Sequence, residues 1–181
     1  MRSAALACLA PLAAATKNIV GLSYADAIPK ENLAQDCEYP AYFTIQGFTT
    51  FTPSASNNTE VNFGYVDSDT DITTTCALNS TSTNVGAAGA AARYACDNSS
   101  INFIWQNNKL TMIELACPTS SVQYDTSGSW IPTLACTDVT DGSGMTCAAN
   151  QTTYQGQFTS IEPLKPGGGG GPGPTRLIRR A

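Results

Sequence analysis

Between about residue 37 and residue 162 the apolar positions recur every second residue rather than at helical spacing. Val61, Phe63 and Tyr65 alternate with Asn62 and Gly64, so the three apolar side chains share one face of a strand. Ile101, Phe103 and Trp105 repeat the pattern. Asn107-Asn108 then reads as a hairpin turn into KLTMIELAC, because asparagine tolerates the positive φ such turns require. Further strands are predicted at residues 42–48, 72–77, 92–96, 131–137, 145–149 and 154–161, with turn-formers between them. No window supports an amphipathic helix. GAAGAAARYAC comes nearest, but it holds glycines and no large apolar side chain to bury. Many short strands without helical crossovers pair antiparallel, so the predicted fold class is all-β, a compact barrel or sandwich stabilised by disulfides.

The flanks lack this pattern. Residues 1–15, MRSAALACLAPLAAA, set one positive charge before an apolar run from Ala4 to Ala15 that is too short to span a bilayer and closes on small residues. They read as a secretory signal peptide cut after Ala15, with Ala27 as a second cleavage position. Residues 16–36 form a weakly patterned lead-in. Residues 165–181 form a Gly/Pro-rich tail, expected to be disordered, that carries Lys165, Arg176, Arg179 and Arg180. What remains is one domain, residues 37–164. No later segment approaches the roughly 18 uninterrupted apolar residues of a spanning helix, so the expected product is extracellular with no membrane span. Sequons at Asn57, Asn79, Asn98 and Asn150 are the expected glycosylation positions on that route.

Cysteine use sharpens the picture. Cys8 leaves with the signal, and Cys37, Cys76, Cys96, Cys117, Cys136 and Cys147 remain as an even set that an oxidising compartment lets pair. The spacing argues against structural zinc, which needs close cysteine pairs, and the chain has no histidine. Several connectivities are open; nearest-neighbour pairing joins Cys76 with Cys96 and Cys136 with Cys147 and leaves Cys37 for Cys117.

Candidate chemistry is sparse. Without histidine there is no histidine-activated nucleophile. Asp67, Asp69 and Asp71 occupy the first three ligand positions of a helix-loop-helix calcium loop, but Ile72 stands where glycine is needed and Leu78 where glutamate is needed. They read better as a strand end whose carboxylates sit in water and hold the turn backbone. Glu114 lies inside an apolar strand, where burial can raise its pKa, and Asp97 or Glu60 would complete a glycosidase pair. Nothing in the sequence sets the carboxylate separation, so the plainer reading has Glu114 facing solvent. Phe63, Tyr65, Phe103 and Trp105 follow the inward alternation and read as core. Tyr124 and Trp130 flank an apparent turn, Ser127-Gly128, and are the candidate exposed ligand contacts. No metal or cofactor is expected. Residues 37–164 carry eleven acids and two bases, which argues against nucleic acid and anionic membrane as partners.

The succession FTIQGFTTFTP, EVNFGYVDSDTDITTTC, ARYACDNSSINFIWQNNKLTMIELAC, a cysteine pair and YQGQFTSIEPL resembles the fungal AltA-one-like family, small secreted proteins named after the major Alternaria allergen. The resemblance implies a disulfide-held barrel or sandwich, local bridges at the positions of Cys76 with Cys96 and Cys136 with Cys147, and no catalytic residues. It also implies an interaction role at a host surface. Some members link two chains through an N-terminal cysteine, so Cys37 either pairs internally or joins a second copy, and the chain is a monomer or homodimer. The expected function is therefore a secreted non-enzymatic effector or elicitor that binds an unknown host or cell-wall component. The alternative is a carbohydrate-binding or wall-associated module using Tyr124 and Trp130, and a carboxylate hydrolase ranks behind both.

Overall fold

The computed structural model describes residues 38–120 and 122–164; the signal peptide, the lead-in, Cys37 and the basic tail lie outside the described residues. Among the described residues there are eleven strands and no helix: β1 (Tyr42–Pro53), β2 (Glu60–Asp67), β3 (Ile72–Leu78), β4 (Tyr94–Ala95), β5 (Ile101–Gln106), β6 (Lys109–Ala116), β7 (Tyr124–Trp130), β8 (Leu134–Asp138), β9 (Gly144–Ala149), β10 (Thr153–Gln157) and β11 (Ser160–Pro163). One antiparallel sheet runs β3-β2-β1-β9-β8, with β10 also paired to β1, and the other runs β11-β7-β6-β5-β4. The two sheets pack face to face without closing into a barrel, so the architecture is a sandwich.

Alternation builds the core, broken on β6 where Ile113 is buried as well as Met112 and Glu114. β2 buries Val61, Phe63, Tyr65 and Asp67; β5 buries Ile101 and Phe103; β6 buries Leu110, Met112, Glu114 and Ala116. Phe63 meets Phe103 edge-on across the sheets at 5.1 Å, and Phe48 touches Phe63, Trp105 and Trp130. Fully burying each such ring contributes roughly 2–3 kcal/mol. The Asn107-Asn108 hairpin has both residues at positive φ, 53° and 58°, as the sequence predicts. β1 carries one extra residue between Gln46 and Thr49, at Gly47 with φ +59°, and there it exchanges β10 for β9 as its partner.

Three predicted elements change. Ser127-Gly128 is no turn but the middle of β7, a strand hidden from a hydropathy reading because its inward positions include Thr126 and Gly128. Gly128 lies in the strand for a packing reason: a Cβ there would stand 2.2 Å from the Gln157 carbonyl oxygen and 2.7 Å from the Phe43 ring. The closing strand splits into β10 and β11, passing from one sheet to the other at buried Phe158. The segment 92–96 keeps only the two-residue β4.

Two bridges secure the layers. Cys76 on β3 and Cys96 just after β4 join the outer edges of opposite sheets, and both are buried. Cys136 and Cys147 face each other across β8 and β9 and staple one sheet. Each closes a loop of the unfolded chain and contributes about 3 kcal/mol. Cys117 is also disulfide-bonded, to a partner outside the described residues.

Candidate functional site

The sandwich has two mouths, set at opposite ends of the same strands. The register shows this: Asp67 pairs with Ile72 at one end of β2 and Val61 with Leu78 near the other, while Glu114 pairs with Ile101 and Lys109 with Gln106.

At the first mouth, the inward alternation of β2 ends on Asp67 and that of β6 passes through Glu114. Both are sealed, at 1% and 0% exposure. Glu114 therefore does not face solvent, and its neighbour is neither Asp97, which is exposed, nor Glu60, which stands at the far end of β2. The Tyr65 hydroxyl donates to Glu114 Oε2, and the Thr70 hydroxyl donates to Oε1 at 2.7 Å. Asp67 Oδ1 accepts the backbone N–H of Asp69 at 2.7 Å and of Thr70 at 3.2 Å, while Asp69 Oδ2 accepts the Ala41 N–H at 2.9 Å. The aspartates thus hold the turn backbone as expected, but Asp67 does so from the interior rather than from water.

Asp67 Oδ2 is buried and meets no donor among the described residues. A hydrogen bond with the adjacent Glu114 carboxyl forms only when one proton lies between the two, with Glu114 as donor. Burial is the main reason that Glu114 is pushed up to about 7, with the Asp67 charge adding to it and the Tyr65 and Thr70 hydroxyls opposing it. Burial also raises Asp67. Among the described residues no Lys or Arg lines this mouth to offset the charge. Beside the pair opens a cleft of about 530 Å³ whose lining includes Glu38, Thr70, Ile72, Pro118 and Glu114 itself. Thr70, half-buried, stands between that space and Asp67 through its bonds to both carboxyls.

At the second mouth, polar groups stay open. A cleft of about 600 Å³ is lined by Tyr94 and Trp105, both half-buried, with Asn57, Glu60, Gln106 and Asn107 among its polar residues. Trp105 is therefore core on one side only: it rests on Phe48 at 5.2 Å and reaches the mouth with the rest.

Tyr124 and Trp130 are not exposed contacts. Each is 8% exposed; Tyr124 packs against Tyr39, and Trp130 stacks on Tyr154 at 4.4 Å and meets Phe48 edge-on. The reason is β7 itself, whose alternation points both rings inward once Ser127-Gly128 is extended. Asn57, Asn79, Asn98 and Asn150 all lie exposed in connections between strands. The residues the sequence reading passed over, Tyr65, Asp67 and Thr70 as partners of Glu114, had one visible signal: 61-63-65-67 and 110-112-114 are unbroken alternations that place an acid inward on each strand.

No family model matches the sequence, and no curated protein matches it. Solved structures do share its fold. Two crystal structures of the Alternaria alternata allergen Alt a 1 superpose with a TM-score of 0.50 each, at 14% and 15% identity, covering 70% and 71% of this chain and 92% and 99% of theirs. The likeness predicted from the order of the strands and cysteines is thus present at the level of the fold.

Proposed function

We propose that this chain is a secreted, non-enzymatic protein that acts by binding at a host or cell-wall surface, in the manner of an effector or elicitor. The observation that carries this reading is the contrast between its acids and its clefts. Among the described residues the carboxyl pair suited to acid–base chemistry has almost no exposed surface, Asp67 lying behind Thr70 and Glu114 meeting the first cleft only as part of its wall, whereas the Trp105 cleft presents polar and aromatic groups suited to recognition. One disulfide joining the two sheets and another stapling a single sheet suit an oxidising exterior, and the allergen fold supports the same setting. The test applies purified mature protein to plant tissue and to polysaccharide and ester substrates in parallel. A defence response without turnover is the expected result; turnover that disappears in Glu114→Gln would replace this reading with a hydrolase.

A second reading, a carbohydrate-binding or wall-associated module, is favoured by the aromatic and amide groups of the Trp105 mouth. It does not run through Tyr124 and Trp130, which are buried.

A further inference from the structure

We infer that the Trp105 mouth is a binding site for a neutral saccharide chain, with the Trp105 ring as its platform and the surrounding amides and Glu60 as its hydroxyl partners. The inference deepens the binding reading above, from which it takes only that the chain acts by recognition.

The lining chemistry narrows the ligand. Among the described residues neither Lys nor Arg lines the cleft, and the one charged residue there is Glu60, so phosphate, sulfate and uronate groups meet no counter-charge from them. An apolar ligand fits no better, because most lining side chains are amides and hydroxyls. The side chains of Asn57, Glu60, Gln106 and Asn107 make no hydrogen bond among the described residues, so their donors and acceptors are available to a ligand. A sugar is the ligand class that presents many hydroxyls at its rim and weakly positive C–H groups on its flat face. The first match amide and carboxylate groups, and the second match the electron-rich face of an indole.

Shape adds a second argument. A groove of about 240 Å³ shares Glu60, Leu78 and Asn79 with this cleft, and another of about 520 Å³ shares Pro53, Ser56 and Asn57. Both grooves therefore adjoin the mouth, which suits an extended ligand more than a compact one. Trp105 is held in place from beneath by Phe48, so little side-chain freedom is lost when a ring stacks on it.

Two sources supply the same chemistry. Asn57 and Asn79 line the cleft and head sequons, so the saccharide is either an external wall glycan or an N-linked glycan of this chain folded onto its own surface. Nuclear Overhauser contacts from sugar C–H groups to the Trp105 indole, measured on the glycosylated protein and on the same unaltered chain produced without N-glycosylation, separate them. Gluco-, chito- and manno-oligosaccharides are the added probes. Trp130, stacked on Tyr154, is the internal control whose signals stay still. Contacts from added oligosaccharide in the glycan-free form assign an external ligand; contacts only from the attached glycan assign the chain's own. For the external ligand Trp105→Leu, which keeps apolar cover over Phe48, weakens binding about tenfold or more. Gln106→Ala, at the exposed end of β5, weakens it less without touching the core. If no sugar reaches Trp105 in either glycan state, or if binding survives both substitutions, the inference is overturned. A host response that persists in that case leaves the binding reading standing alone, and a sugar-binding protein without host response does the reverse.

Discussion

At one end of the sandwich β2 finishes in Asp67 and β6 carries Glu114 inward, and both acids are closed off from water; at the other end β2 begins in Glu60 and β5 finishes in Trp105-Gln106, and the polar groups face an open cleft. The strands are the same, and so is the alternation. What differs is the cover. The turn from Asp67 to Ile72 folds over the first mouth, tied down by bonds from Asp69 and Thr70 to Asp67 and from Thr70 to Glu114. The loops from Pro53 to Glu60 and from Leu78 onward instead stand around the second mouth and leave it accessible. An acid under cover becomes a proton store whose charge is costly, and an acid in the open remains an ordinary acceptor.

The largest effect that sharpens this contrast is Glu114→Ala. It strands the Tyr65 and Thr70 hydroxyls against a void and leaves Asp67 without its proton donor, so the stability at pH 5 should fall by about 3–5 kcal/mol in a denaturant titration. Glu60→Ala at the open mouth should stay within about 0.5 kcal/mol. Equal losses at the two ends would erase the distinction.

Acidity gives the next effect. Glu114 titrates near its ordinary 4.5 when unfolded and near 7 when folded, so between those values the folded state holds a proton that the unfolded chain releases. Its contribution is fully present below about pH 4.5 and is lost as the pH rises through about 7, by roughly 3 kcal/mol. Asp67, raised as well, acts in the same direction. The clean measurement is the difference between wild type and Glu114→Gln across pH 4 to 9: the variant should overtake the wild type above neutrality, and parallel curves would refute the shared proton.

Tyr65→Phe should cost about 1 kcal/mol and move the Glu114 midpoint further up, because the lost hydroxyl favours the charged form. Smallest of all, Asn107→Gly at the tip of the open end should change the melting temperature little, since glycine adopts the same positive φ without strain.

Much of the fold was legible because its signals are local. The β5–β6 hairpin needs only an alternation and two asparagines, and the bridges Cys76–Cys96 and Cys136–Cys147 join sequence neighbours on adjoining edges or strands. β7 was illegible for the opposite reason. Its Gly128 answers to Gln157 and Phe43, residues far along the chain, and read alone it mimics a turn. Glu114 was singled out as an acid in an apolar strand, yet its burial and its partner on another sheet depend on where the β2–β3 turn settles.

The amino-acid sequence by itself determined the all-β class and the inward and outward faces of most strands, since both follow from a period of two, while it left nearest-neighbour sulfur bridges as one of several open connectivities. Only the tertiary structure decided that the sheets form an open sandwich, that Tyr124 and Trp130 are buried while Trp105 reaches a cleft, and that Asp67 meets Glu114. Those outcomes depend on which groups are removed from water together, and desolvation is set by neighbours brought in from distant parts of the chain.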